Sequence, residues 1–407
     1  MKTENTISKT KNLLLLLPNR DENVQALQDL SAHFCGTVVS QRAALPQDLT
    51  TKRVYVCGDI SQMDTLGAPM YIIRELSFNF VNSNLPHFHF VSFGQVPVIV
   101  SNAGVYFRRL FEADNYFQRI KNEHVFQDLT ESTKPEMALR KGIYLTAVSK
   151  QESGDGEVAL HYRLLRCSSN LSGPTDNFRA TDHEIMDRIN DAAKYVFEEP
   201  TTLNHVLAQI YENKKKADSE EKESKARIKA HSDKTKDMPK EALIAFCTFY
   251  DSANFQHLKP SSTDQFDWCY KQGSGLTRLH FKLKKSVADE SLAKEFTVTL
   301  YPNSVFLIPL STNRLYTHEI RPSMLNIDMI PTRLGYVARS SSTEAIFRDA
   351  QTFILENGKW VPLEEMTPET MNSLKESYVE EKQTERRIQY GKVHFSMNRG
   401  DYQKPIH

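Results

Sequence analysis

The chain has few cysteines, no long apolar run, no excess of either charge and no glycine-rich phosphate loop, and each lack excludes a class of protein. Its five cysteines, Cys35, Cys57, Cys167, Cys247 and Cys269, are scattered, odd in number and free of Cys-x-x-Cys spacing. That sets aside a disulfide framework and a cysteine-based zinc site, and the expectation is a reduced intracellular compartment, cytoplasmic or nuclear. The one notable apolar run, Leu13 to Leu17, stops at Pro18 and is too short for a membrane span or a secretion signal, so neither is expected. Lys+Arg and Asp+Glu balance at 51 each. A surface devoted wholly to nucleic acid is therefore unlike this chain, though a local basic stripe is compatible with it.

What is present is an ordinary globular composition, 40 % hydrophobic and 25 % charged over 407 residues, enough for two domains or one domain with large extensions. Residues 1–65 read as a small α/β module: the leucine run is a strand, Asp21 to Phe34 has helical spacing, and Thr37 to Val39 and Arg53 to Cys57 are short strands. Residues 66–182 alternate apolar runs and form a strand-rich extension packing on the core, with one amphipathic segment around Tyr106 to Ile120. Its His87 and His89 read as ordinary strand histidines, since no carboxylate or cysteine stands close by in sequence. Thr181 to Glu184 has the form of a capping box opening a helix with Ile185, Ile189, Ala192, Ala193 and Val196 on one face. Lys214 to Ala226 is a mixed-charge run expected as a solvated loop or frayed helix. After residue 347 comes a polar tail, 348–407, in which Thr367 and Pro368 open a charged helix to about Ile388. That helix or the N-terminal module is a candidate docking surface for a protein partner.

The chemistry lies between these regions. His231-Ser232-Asp233 is followed 85 residues after Asp233 by His318, then by Arg333 and Arg339. On an extended strand His231 and Asp233 point to one face, because side chains alternate with a period of two. Two imidazoles and one carboxylate are the protein donors of a facial iron(II) site, which leaves roughly three of six positions open. Arg333 and Arg339 also share a face if extended, with Cα atoms about 20 Å apart. With each side chain leaning inward by roughly 6 Å, the gap of about 8 Å suits a small dicarboxylate such as 2-oxoglutarate. Taken singly, His-x-Asp in a lysine-rich stretch is also compatible with a solvated loop, and two arginines on a strand with ordinary ion pairs.

Four blocks in family order strengthen the first reading. Leu207-Ala208-Gln209-Ile210-Tyr211 resembles an Asn-x-Tyr strand, Ile228 to Lys234 a His-x-Asp segment, Gly275 to Ile308 a turn, strand and hairpin, and Tyr316 to Ile320 with Arg333 to Arg339 a distal histidine and Arg-x5-Arg strand. Over about residues 200–347 the chain thus resembles the AlkB-like branch of the iron(II)- and 2-oxoglutarate-dependent dioxygenases. The resemblance implies an α+β protein with a double-stranded β-helix, or jelly-roll, catalytic core over residues 183–347, flanked by an N-terminal α/β extension and a C-terminal helical tail. It implies iron(II) held by His231, Asp233 and His318, and 2-oxoglutarate held by Arg333 and Tyr211, with Arg339 near the metal end. Gln209 stands where the family has asparagine, and Gly335 replaces a common polar residue, which removes one expected hydrogen bond. The implied reaction consumes dioxygen and 2-oxoglutarate and oxidises a C–H bond, in this branch often an N-methyl group of a base in DNA or RNA. Thr235, by strand parity, would face the substrate. A hydroxylase of a protein side chain or small metabolite, and a non-catalytic jelly-roll interaction protein, are the other readings. Tyr250, Phe255, Trp268 and Tyr270 are candidates for base stacking by position, with core packing as the alternative.

Overall fold

Leu13, Leu14 and Leu15 are all buried, so their strand is covered on both faces, as central strands of parallel sheets are. The computed structural model describes residues 5–63, 68–80, 87–130, 137–152, 158–167, 171–216 and 219–407. The boundary expected between 65 and 66 falls outside them. Strand Asn12–Leu16 lies between Thr37–Val39 and Arg53–Asp59, and Met70–Phe78 and Phe88–Val91 extend the same all-parallel sheet. Helix Val24–His33 packs on it through Leu30.

The protein is α+β, mostly strands with few helices. A nine-stranded sheet organises the rest, and its middle strands are His205–Tyr211, Arg333–Arg339, Leu243–Tyr250 and Ser304–Pro309 in that spatial order. Alternation divides the sheet into two faces. Val206, Ala208, Leu334, Tyr336, Ala338, Leu243, Ala245 and Cys247 meet helix Ala180–Val196 through Ile185, Ile189, Ala192 and Ala193. The opposite face brings Ile244, Phe246, Phe306 and Ile308 against Leu279, Phe281, Val298, Tyr316 and Ile320 of a four-stranded sheet. That sheet runs Ile228–His231, Tyr316–Arg321, Arg278–Leu283, Glu295–Thr299. Two sheets thus face each other across one apolar layer.

Leu203 to Ile210 has helical spacing, but the strand that the resemblance implies forms as His205–Tyr211, because pairing on both sides with Met137–Thr146 and Arg333–Arg339 overrides local periodicity. Several expected elements differ. The segment from Tyr106 to Ile120 divides: Tyr106 belongs to strand Gly104–Phe107, and the helix is Tyr116–Glu123. The mixed-charge run folds as paired strands Lys214–Lys216 and Ser219–Ser224, with Asp218 outside the described residues. The polar tail first adds strands Gln351–Glu356 and Lys359–Pro362 to an antiparallel sheet with Thr343–Arg348. Its helix, Pro368–Gln383, has the expected Thr367 cap but ends five residues early. Among the described residues no helix is long and apolar enough to cross a membrane.

The helix expected to start at a Thr181 capping box starts at Ala180: Asp182 accepts from Arg179 N at 2.8 Å, and the Thr181 hydroxyl donates to Glu123 at 2.7 Å instead of capping. Buried His124 places Nδ1 2.8 Å from Asp176 and Nε2 2.8 Å from Asp182. Tyr336 donates to the other Asp182 oxygen at 2.9 Å. Burial alone would lower the imidazole, but the hydrogen bonds and charges of Asp176 and Asp182 outweigh it and raise His124 to about 9. A histidine raised on folding stabilises fully below its unfolded value near 6.5 and loses that contribution as pH climbs through about 9. At pH near 6, His124→Gln is expected to cost about 3 kcal/mol in urea unfolding. Going from about pH 6 to about pH 10 should lower the Tm of the native chain more than that of the variant, and equal losses would contradict the pin.

Candidate metal centre

His231 ends its strand, and its partner across the ladder is His318. Asp233 is therefore not on the strand, and strand parity does not align it. Instead the chain turns, and Asn313 clamps the turn from both sides: its Oδ1 accepts from Asp233 N at 2.8 Å and its Nδ2 donates to Asp233 O at 2.9 Å. Asp233 Oδ1 then stands 3.6 Å from His231 Nε2 and 3.7 Å from His318 Nε2. The imidazole centroids are 4.4 Å apart. Donors bound about 2.1 Å from one ion at right angles sit about 3 Å apart, so a small contraction would close this set on a cation.

Protonation suits that task. His231 Nδ1 lies 2.9 Å from the carbonyl of Lys229, and a proton there leaves Nε2 as a lone pair toward Asp233 and His318. Burial, reinforced by the neighbouring His231 and Arg339, pushes His318 down to about 3. Desolvation lowers His231 as well. Burial would raise Asp233, but Arg339 and the two imidazoles prevail and hold its carboxyl well below the usual range. Arg339 Nε donates to Asp233 Oδ2 at 2.7 Å. One carboxylate oxygen is thus occupied and the other left toward the histidines. Phe246 and Phe281 flank the His318 ring at 5.3 and 5.6 Å and keep that side dry.

On the same inner face of the nine-stranded sheet, Tyr211, Arg333 and Tyr250 are level with one another across three strands, and Gln209, Gly335 and Thr248 form the next row. Arg333 is buried, its guanidinium lies 3.8 Å from the Tyr211 ring centroid, and its Nε and Nη2 have no partner among the described residues. The Thr248 hydroxyl is likewise buried and unpartnered. Tyr211 donates to Gln209 at 3.3 Å. Gly335, which the sequence reading treats as a lost hydrogen bond, gives room: a Cβ there would sit 2.8 Å from Arg333 Nη1 and 3.2 Å from Tyr211 Cε2. A desolvated guanidinium without a carboxylate is costly unless an anion joins it. The unfilled donors around Gly335 fit a ligand carboxylate.

Thr235 lies beyond the strand that ends at His231, so strand parity does not aim it. Its N–H and hydroxyl both go to the carboxylate of Glu381 in the C-terminal helix. Of the aromatic candidates, Tyr250 is buried and donates to Leu300 O, Phe255 packs edge-on to Trp268 at 4.9 Å, and Tyr270 is exposed. Sequence reading missed Asn313 and Glu381, which lie 80 and 146 residues from the loop positions they hold. Nothing in their local sequence signals the contact. A second cluster, Glu123, His124 and Asp182, also has metal-capable atoms close together. Both ring nitrogens of His124 are already engaged by carboxylates, which makes it an ion-paired pin with no free donor.

Compared by sequence, the chain matches no protein-family model and no curated protein. Compared by fold, it is similar to the solved structure of OsALKBH1, an AlkB homologue, with a TM-score of 0.33 and 12 % identity over 58 % of this chain and 96 % of that one. Likeness at that level leaves the reading of the centre to its own residues. Removing the cation beside Asp233 tests it: Arg339→Met leaves a buried carboxylate unpaired and should cost about 3–5 kcal/mol in urea unfolding, whereas a loss under about 1 kcal/mol would show the pair to be incidental.

Proposed function

We propose that the protein is an iron(II)- and 2-oxoglutarate-dependent dioxygenase, with His231, Asp233 and His318 as the metal ligands. The observation that carries the reading is the convergence of those three side chains, whose candidate donor atoms all lie within 4.8 Å of one another. Two neutral imidazoles and a carboxylate are the donor set of non-haem iron oxygenases. The two facing sheets, with the centre between them, are the arrangement a double-stranded β-helix core would have.

Arg333 is the residue we assign to the distal carboxylate of 2-oxoglutarate, supported by its two unpartnered donors, its stacking on Tyr211 and the space over Gly335. Gln209 and Tyr211 border that carboxylate. Arg339 acts at the metal end by orienting Asp233. Iron(II) held by His231, Asp233 and His318 would activate dioxygen, the oxidant, of which one oxygen atom would go to 2-oxoglutarate, giving succinate and carbon dioxide, and the other to a substrate C–H bond. The chain's own share is orientation and exclusion of water. Phe246 and Phe281 wall His318 from solvent, while His231 stays 38 % exposed and marks the open side. For the substrate we take the class the sequence blocks resemble, an N-methylated base in DNA or RNA, released by hydroxylation and loss of formaldehyde.

Anaerobic addition of iron(II) and 2-oxoglutarate should produce a weak visible charge-transfer band, and His231→Ala should abolish it. Gly335→Ala should weaken 2-oxoglutarate binding by about tenfold or more, equivalent to roughly 1.4 kcal/mol, with iron affinity kept. Absence of the band and of 2-oxoglutarate consumption in the native chain would leave a non-catalytic scaffold. Succinate release on methylated DNA or RNA would support the base as substrate. Release only with peptides or small metabolites would replace it with a hydroxylase of those.

A further inference from the structure

Beside the loop that carries Asp233, and outside the centre described above, lies a cavity of about 450 Å³. Ligand sites commonly have volumes of about 300–1,000 Å³. One wall is the segment after the C-terminal helix, and another begins at Thr235 and Lys236. Five cations line it: Arg166, Lys236, Lys240, Arg314 and Arg387. Glu356 is the one carboxylate among its described lining residues, and His394 Nε2 already lies 2.7 Å from it.

The two innermost cations are short of negative charge. Arg166 and Lys236 keep only 7 % and 3 % of their side chains exposed, and both pair with Asp237, while burial raises the further carboxyl near Arg166, Asp401, to about 7 and so weakens its charge. Arg166 Nη2 donates to Asp237 at 2.6 Å and Lys236 Nζ at 2.9 and 3.0 Å. Two desolvated cations on one fully ionised carboxylate, with Asp401 held partly protonated, leave an excess of positive charge in a region where water does little to screen it. Burial, with the Arg166 charge added, pulls Lys236 below its ordinary value despite Asp237. Arg387 stands on the exposed side.

We infer that this cavity binds a ligand carrying phosphate groups. Phosphate presents several acceptor oxygens and about two charges to forked guanidinium donors, which matches a space walled by three arginines and two lysines. The phosphate comes either from a small free molecule or from the backbone of a nucleic acid. The inference uses neither iron nor 2-oxoglutarate, so its failure and that of the oxygenase reading are separate.

The test is calorimetric titration of the full chain, at low ionic strength, with pyrophosphate and with a short oligothymidylate. Pyrophosphate binding that falls by about tenfold or more in the Lys240→Glu/Arg387→Glu double variant, and is unchanged in Lys9→Glu on the N-terminal surface, supports the cavity and a free phosphate. Oligothymidylate binding lost in the same double variant supports the cavity and assigns the phosphate to a backbone. If the double variant does not fold, Arg387→Glu alone, at an exposed position, carries the comparison. The proposal is overturned if neither probe binds the native chain, if the cavity variant binds as well as native, or if Lys9→Glu loses as much.

Discussion

The ion pair between Arg339 and Asp233 is the contact on which the candidate centre depends. At 2.7 Å, with side chains 12 % and 7 % exposed, it joins the middle of the nine-stranded sheet to the loop leaving the opposite sheet. Electrostatically it keeps Asp233 ionised inside the protein, where burial alone would favour the protonated acid. Geometrically it takes one carboxylate oxygen and turns the other toward His231 and His318. Neither histidine is placed to play the complementary part, since burial lowers both imidazoles and disfavours their charged form.

The loop around that pair is fastened by distant segments. Asn313 holds Asp233 from the short helix Leu310–Leu315, and Glu381 holds Thr235 from the C-terminal helix. That helix is in turn tied down: Lys284 donates to the carbonyls of Glu381 at 2.7 Å and Thr384 at 3.0 Å, capping its C-terminal end. Lys234 lies 4.3 Å over the Tyr378 ring. Leu374 and Tyr378 pack with Phe395 and Met397 of the same chain. The helix that sequence alone offers as a partner-docking surface thus packs Leu374 and Tyr378 on its own loop and tail and leaves Val379 exposed. Precision at Asp233 is built from residues that span most of the second half of the chain, which is how a short loop can hold a carboxylate rigidly.

The legible parts of the sequence were those in which a residue type carries its chemistry alone. His231, Asp233 and His318 could be read together because few residue types bind iron, and Arg333 and Arg339 because a strand sets their common face. The leucine run and the stripe Ile185, Ile189, Ala192 and Ala193 declared their elements through periodicity. What escaped was contact information. Strand parity gave the right partners for the wrong reason at Asp233, which is turned by Asn313, and it misplaced Thr235, whose hydroxyl is claimed by Glu381. Gly335 read as a missing hydrogen bond, because a sequence does not show that a guanidinium lies where its Cβ would be. Thr181 looked like a cap, but its hydroxyl is claimed by Glu123, 58 residues before it.

Anomalous diffraction from crystals soaked in manganese(II), a redox-stable stand-in for iron(II), tests the central claim most directly. The account predicts one strong peak within bonding distance of His231 Nε2, His318 Nε2 and an Asp233 oxygen, with Arg339 still on the other oxygen. No peak between those three side chains, or a peak at His124 in their place, would contradict it.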